Sequence, residues 1–256
     1  MRLITRAGRR PSLYARSLID RRAGETEAAA SWTNRVINQT ADWVLGRNPG
    51  TAWRHMRDLY GRHEGETILV LGSGPSLKLC PKDPGLTTIA INRAIRAVPA
   101  NYWAWHDPDS WDQSKDHLYA RVAEMITIAQ AFKQIPKDRV AYLVEGDSRP
   151  TRYRENPPLY NCDLTLTWVI HLCLRMGAKR VVTLGTEFDR SGQYDGFVQP
   201  DRTRDWQDAQ HVAGYPRIYR MLKMDRSEWE ERPMEILDLS GGNMPCPKTK
   251  PELVFS

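Results

Sequence analysis

The sequence has no run approaching the ~20 consecutive apolar residues of a membrane span. Its opening residues also lack the apolar centre of a secretory signal. Both absences point to a cytoplasmic protein. The 256 residues hold four cysteines, Cys80, Cys162, Cys173 and Cys246, and no CxxC pair. That spacing fits neither a zinc site nor a dense disulfide framework, so reduced thiols are expected. The GxxxxGK[ST] spacing of a P-loop is missing, and so is a full GxGxxG. No internal repeat and no low-complexity segment is present.

What is there is the balance of a globular protein, with 41% hydrophobic and 27% charged residues. The length suits one sizeable domain plus an extension. Net charge is +6 and the isoelectric point about 9.2. Part of the excess lies in residues 1–22, where arginines far outnumber acids. Such a stretch suits phosphate backbones or anionic lipid heads, and equally a solvated basic helix; it also has the look of a transit peptide. Residues 1–60 read as a basic helical extension. Helical spacing runs over 31–45, Arg47-Asn48-Pro49-Gly50 breaks it, and a short helix is expected over 51–60.

Residues 61–256 read as an α/β, Rossmann-like domain. Short apolar runs at 67–71, 87–91, 102–105, 140–144, 180–185 and 234–239 have the character of strands buried on both faces. Residues 164–176 read as an apolar helix closed by Gly177, and 205–224 as a polar-faced helix. Strands alternating with helices predict a mainly parallel sheet with helices on both faces. In such sheets ligands sit outside the carboxyl ends of the strands. Several expected strand ends are small or polar: Gly72-Ser73-Gly74-Pro75-Ser76, Asn92, His106-Asp107, Gly185-Thr186-Glu187 and Ser240-Gly241-Gly242-Asn243.

The glycine loop after the first of these strands allows a tight turn and close approach of backbone amides to a phosphate. A plain strand-to-helix turn would look the same. Asp107-Pro108-Asp109 matches the D-x-D that holds a divalent cation on a diphosphate, and it equally matches a helix cap. His171 lies among Ile170, Leu172 and Cys173, the setting of a packed core histidine. Most of the nine tryptophans fall in apolar elements; Trp111, Trp206 and Trp229 are the ones expected at the surface.

ILVLGSGPSLK resembles the opening motif of the bacterial lipooligosaccharide sialyltransferases and of the archaeal 6-hydroxymethylpterin diphosphokinase-like family. The similarity continues in AINRAI, WHDPDSW and MGAKRVVTLGTEFDRSGQYDGF. The resemblance implies that Gly72, Ser73, Gly74, Pro75 and Ser76 line nucleotide phosphates. It places Asn92, Asp107 and Thr165 near the nucleotide and lets Ser240, Gly241, Gly242 and Asn243 close over base or ribose. Tyr194 matches one of two tyrosines that stabilise a departing phosphate, and Asp189 replaces the other. His211 matches the catalytic histidine, whose ordinary pKa near neutrality suits a general base; a surface histidine at a helix start is the plainer alternative.

The activity so implied is transfer of a sugar from a nucleotide donor to an acceptor hydroxyl, with a glycan or nucleic acid as acceptor. That chemistry needs no metal, although Asp107 and Asp109 leave a divalent cation open. The second relative implies an ATP- and magnesium-dependent diphosphokinase. A non-catalytic protein binding nucleotide or nucleic acid is the third reading.

Overall fold

The computed structural model describes residues 53–106, 108–117, 122–127, 140–144, 146–147, 159–160, 164–187, 194 and 233–255. Eight strands form one sheet: β1 (Trp53–His55), β2 (Thr67–Leu71), β3 (Thr87–Ile91), β4 (Ala100–Trp105), β5 (Val122–Thr127), β6 (Ala141–Leu143), β9 (Arg180–Leu184) and β10 (Glu235–Asp238). Two further strands, β7 (Gly146–Asp147) and β8 (Leu159–Tyr160), pair separately. The described helices are α1 (Pro108–Ser114) and α2 (Thr165–Arg175), with short 3-10 turns between strands.

The order across the large sheet is β1-β6-β5-β4-β3-β2-β9-β10. Every pairing in it is parallel. The chain steps outward from β2 through β3, β4, β5 and β6, then restarts on the other side of β2 with β9 and β10. The strand order therefore reverses between β2 and β9, the kind of switch point at whose strand carboxyl ends ligands bind in such sheets. The expected α/β, Rossmann-like class is the observed one.

Strand alternation explains the core. Successive side chains point to opposite faces. Ile68 and Val70, Ile89 and Ile91, Tyr102 and Ala104 pack on one side with α2. Leu69 and Leu71, Ala90, Trp103 and Trp105 pack on the other with Ala94, Ile95 and Trp111. Helix α2 is buried from Thr165 through Leu174, so it is apolar nearly all round rather than amphipathic. Gly177, at φ +87°, ends it, because a left-handed residue is needed to turn the chain out of the helix.

Three local expectations change. Trp111 is 5% exposed, not at the surface. Its ring lies 5.8 Å from Trp103 and 5.6 Å from Trp105, and those two stack at 4.1 Å, so the stack supplies its burial. Residues 51–60, expected as a helix, instead hold β1, pairing with β6, and a 3-10 turn at Met56–Leu59. Met56 and Leu59 are fully buried, so the sheet recruits chain ahead of residue 61. Strand β5 was not expected at all. His171 is buried in α2, as its neighbours predict. The expected helices at 31–45 and 205–224, and Trp206 and Trp229, lie outside the described residues.

Candidate active site at the switch between β2 and β9

Three turns leave the carboxyl ends of β2, β9 and β10 and interlock. The Gly72 N–H donates to the Leu184 carbonyl at 2.7 Å, and the Gly74 N–H to the Gly185 carbonyl at 2.9 Å. The Gly185 N–H donates back to Ser76 Oγ at 2.9 Å. The Ser76 N–H donates to Glu187 Oε1 at 2.6 Å. From the third turn, the Asn243 N–H donates to the Glu187 carbonyl at 2.5 Å.

The glycines are where these backbones touch. A Cβ on Gly72 would lie 2.2 Å from the Gly185 oxygen, and one on Gly242 would lie 2.1 Å from the Glu187 carbonyl oxygen. A Cβ on Gly74 would lie 1.7 Å from Glu187 Oε2. Gly185 also needs its positive φ of +74°. The resemblance gives Gly72 and Gly74 the task of lining a phosphate, and Gly242 that of closing over base or ribose. Here they admit one another's carbonyls and a carboxylate.

Beneath the turns lies Asp238, completely buried. Its Oδ1 accepts from the Thr183 hydroxyl at 2.9 Å, the Thr186 hydroxyl at 3.2 Å, and the Ser240 hydroxyl and N–H at 2.5 and 3.1 Å. Its Oδ2 pairs with Lys248 Nζ. A buried charge is tolerated when hydrogen-bonded and paired in this way. The Ser240 hydroxyl is thus committed to Asp238, while Gly241 and Asn243 are the exposed members of that turn.

Other expected residues come together on the β3 side. Asn92, at the end of β3, has φ +51°, a left-handed conformation that asparagine tolerates better than most residues. Its carbonyl accepts from the Trp103 indole N–H at 2.7 Å. Its side-chain oxygen lies 3.5 Å from the Thr165 hydroxyl at the start of α2. Tyr194 reaches the glycine loop: its N–H donates to the Ser73 carbonyl at 2.8 Å. Pro75 opens the 3-10 turn that follows Gly74. Asp109 is exposed in the first turn of α1. Asp107, Asp189 and His211 lie outside the described residues.

No family model matches the chain, and no curated protein does. Solved structures similar to it include two glycosyltransferases. One is the MAf glycosyltransferase from Magnetospirillum magneticum AMB-1, 10% identical with a TM-score of 0.48, the match covering 77% of this chain and 37% of that one. The other is the sialyltransferase CstII from Campylobacter jejuni, solved in complex with a substrate analogue, cytidine-5'-monophosphate, 12% identical with a TM-score of 0.42, covering 71% and 86%. The chain thus spans little more than a third of the length of the first.

Among the described residues, no group of three His, Cys, Asp or Glu side chains could hold a metal ion. Burial pushes the Cys80 thiol up to about 11 and the Cys246 thiol up to about 12. Both stay protonated at neutral pH and are poor nucleophiles. None of the described helices is long and apolar enough to cross a membrane. The residues that sequence reasoning missed are Asp238 and Lys248. Asp238 reads as one more strand residue, and only the Asp-Leu-Ser-Gly run of small and polar groups at the strand end hints at a polar hub.

Proposed function

We propose that this chain is a nucleotide-dependent transferase that moves a sugar from a nucleotide donor to an acceptor hydroxyl. The observation that carries the reading is the approach of Tyr194 to Ser73 at the β2–β9 switch. The tyrosine that the motif resemblance assigns to the leaving group lies against the loop that the same resemblance assigns to the donor phosphates. Asn92 and Thr165, assigned to the nucleotide, also adjoin one another.

In this reading the donor phosphates lie over the turn from Gly72 to Ser76. His211 takes the proton of the acceptor hydroxyl as its oxygen forms the new bond to the sugar. The bond between sugar and phosphate breaks, and the Tyr194 hydroxyl donates to the phosphate as negative charge develops there. Asn243 and Gly241, exposed at the neighbouring turn, border the base or ribose.

Thermal shifts with CMP, UDP, GDP and ATP, each with and without magnesium, test the reading. Stabilisation by a pyrimidine or guanosine nucleotide without magnesium is the expected outcome. Stabilisation by ATP with magnesium alone would overturn it in favour of a diphosphokinase. His211→Ala should abolish turnover while donor binding persists; retained turnover would sink the role of His211.

A further inference from the structure

We propose that the Glu187 carboxylate is the resident anion of the glycine loop: it holds the seat a ligand phosphate would take, and so determines which ligands the loop accepts. The Ser76 N–H is the backbone donor that a strand-to-turn loop offers an anion, and Glu187 Oε1 already occupies it at 2.6 Å. Three more of the loop's groups are engaged. The Gly72 and Gly74 amides donate to Leu184 and Gly185, and Ser76 Oγ accepts from Gly185.

The second oxygen points to the same conclusion. Glu187 is 9% exposed, and its Oε2 has no hydrogen-bond partner among the described residues. A buried carboxylate is costly unless its oxygens are satisfied. This one is kept against Gly74, at a spot where any Cβ would collide with it. Glycine at position 74 therefore serves the carboxylate. A phosphate brought to the same amide meets a like charge and must displace Glu187 to gain the hydrogen bond. The loop closed by Glu187 rejects anions; the loop released by Glu187 accepts them.

The inference rests on the proposed transferase reading only in taking the loop as the anion site. Calorimetric titration of the full chain with inorganic pyrophosphate, at fixed pH and ionic strength, tests it. Glu187→Ala frees the Ser76 amide and should tighten pyrophosphate binding about tenfold or more, the worth of one charge-assisted hydrogen bond. Glu187→Gln keeps the volume and an acceptor for Ser76 but removes the charge, so it should fall between wild type and Ala, and it carries the test if the Ala variant folds poorly. Glu235→Gln, which removes an exposed carboxylate paired with Arg180, controls for net charge and should leave binding unchanged.

Equal affinity in all chains, weaker binding in the Glu187 variants, or no binding in any of them overturns the inference. The same variants in the nucleotide thermal shift separate the two ideas. Tighter pyrophosphate binding without nucleotide stabilisation keeps the resident anion and sinks the transferase. Nucleotide stabilisation alike in all chains keeps the transferase and sinks the resident anion.

Discussion

The two ends of the sheet solve the problem of polar groups near a core in different ways. At the carboxyl ends of β2, β9 and β10, two carboxylates are held by backbone amides and short hydroxyls, with glycines in contact around them. Toward the amino ends of β3 to β6, long side chains satisfy one another. The Arg62 guanidinium donates to the hydroxyls of Tyr102 and Tyr142 at 3.3 and 2.8 Å and pairs with Glu124 at 2.5 Å. His63 bridges the Tyr102 hydroxyl and Glu66, at 2.9 Å to each. Burial raises the Tyr102 and Tyr142 hydroxyls above the usual tyrosine range, so both remain neutral there. The first arrangement is rigid and leaves Glu187 Oε2 without a partner; the second is open to solvent and adaptable. A substitution at the carboxyl end should therefore cost far more than one at the amino end.

The sharpest break is Asp238→Ala. It leaves the hydroxyls of Thr183, Thr186 and Ser240 facing an empty site and removes the partner of Lys248. Lys248 is half exposed and keeps its water, so the cost lies in three stranded buried hydroxyls at about 1 kcal/mol or more each, together about 3–5 kcal/mol. In a protein of this size that lowers Tm by about 10 °C, measurable by calorimetry. Asp238→Asn keeps an acceptor for the three hydroxyls and should lose much less. Equal losses from the two variants would mean that the charge, not the hydrogen bonding, matters.

Next come the glycines, which separate two kinds of close contact. Gly72→Ala drives a methyl group against the Gly185 backbone, which has no way to yield, at a cost of about 2–3 kcal/mol. Gly74→Ala strikes mainly the Glu187 carboxylate, the end of a side chain. Glu187→Ala should therefore rescue much of the Gly74→Ala loss, a 2.9 Å contact with the Gly185 carbonyl oxygen remaining, and leave Gly72→Ala uncorrected. In urea denaturation the Gly74–Glu187 pair should show a coupling of about 1 kcal/mol or more, and the Gly72–Glu187 pair close to none. Coupling of equal size in both pairs would mean that the turns shift as one body.

The same contrast explains what the sequence discloses. Strands β2, β3, β4, β6 and β9 are legible because burial on both faces demands largely apolar runs. β5 escapes notice because Glu124, needed by Arg62, sits in its middle and spoils the run. β1 is three residues long and follows a Pro-Gly break, so periodicity has nothing to work on. At the site, the polar strand ends show where the switch point between β2 and β9 lies. The partners of those ends are decided by tertiary approach: a glycine that admits a phosphate and one that admits Glu187 read alike. The same holds for Asp238, whose hydroxyl partners lie up to 55 positions away.

The smallest expected effect lies at the amino end and depends on pH. Glu66 sits just before β2, where hydrogen bonds first from His63 and then from the Thr87 hydroxyl hold its carboxyl below the usual range. A carboxyl with a lowered folded pKa binds its proton more weakly in the native state than in the unfolded chain. Its contribution is therefore complete above the unfolded value of about 4.3 and disappears as pH falls through the folded value. Glu66 is half exposed, so screening keeps the worth of the interaction to about 0.5 kcal/mol. Glu66→Gln should show that small loss in urea midpoint at pH 7, and the gap to wild type should close below pH 4. A gap that persists in acid would make Glu66 a packing residue and would bring this open cluster closer in kind to the locked turns at the other end of the sheet.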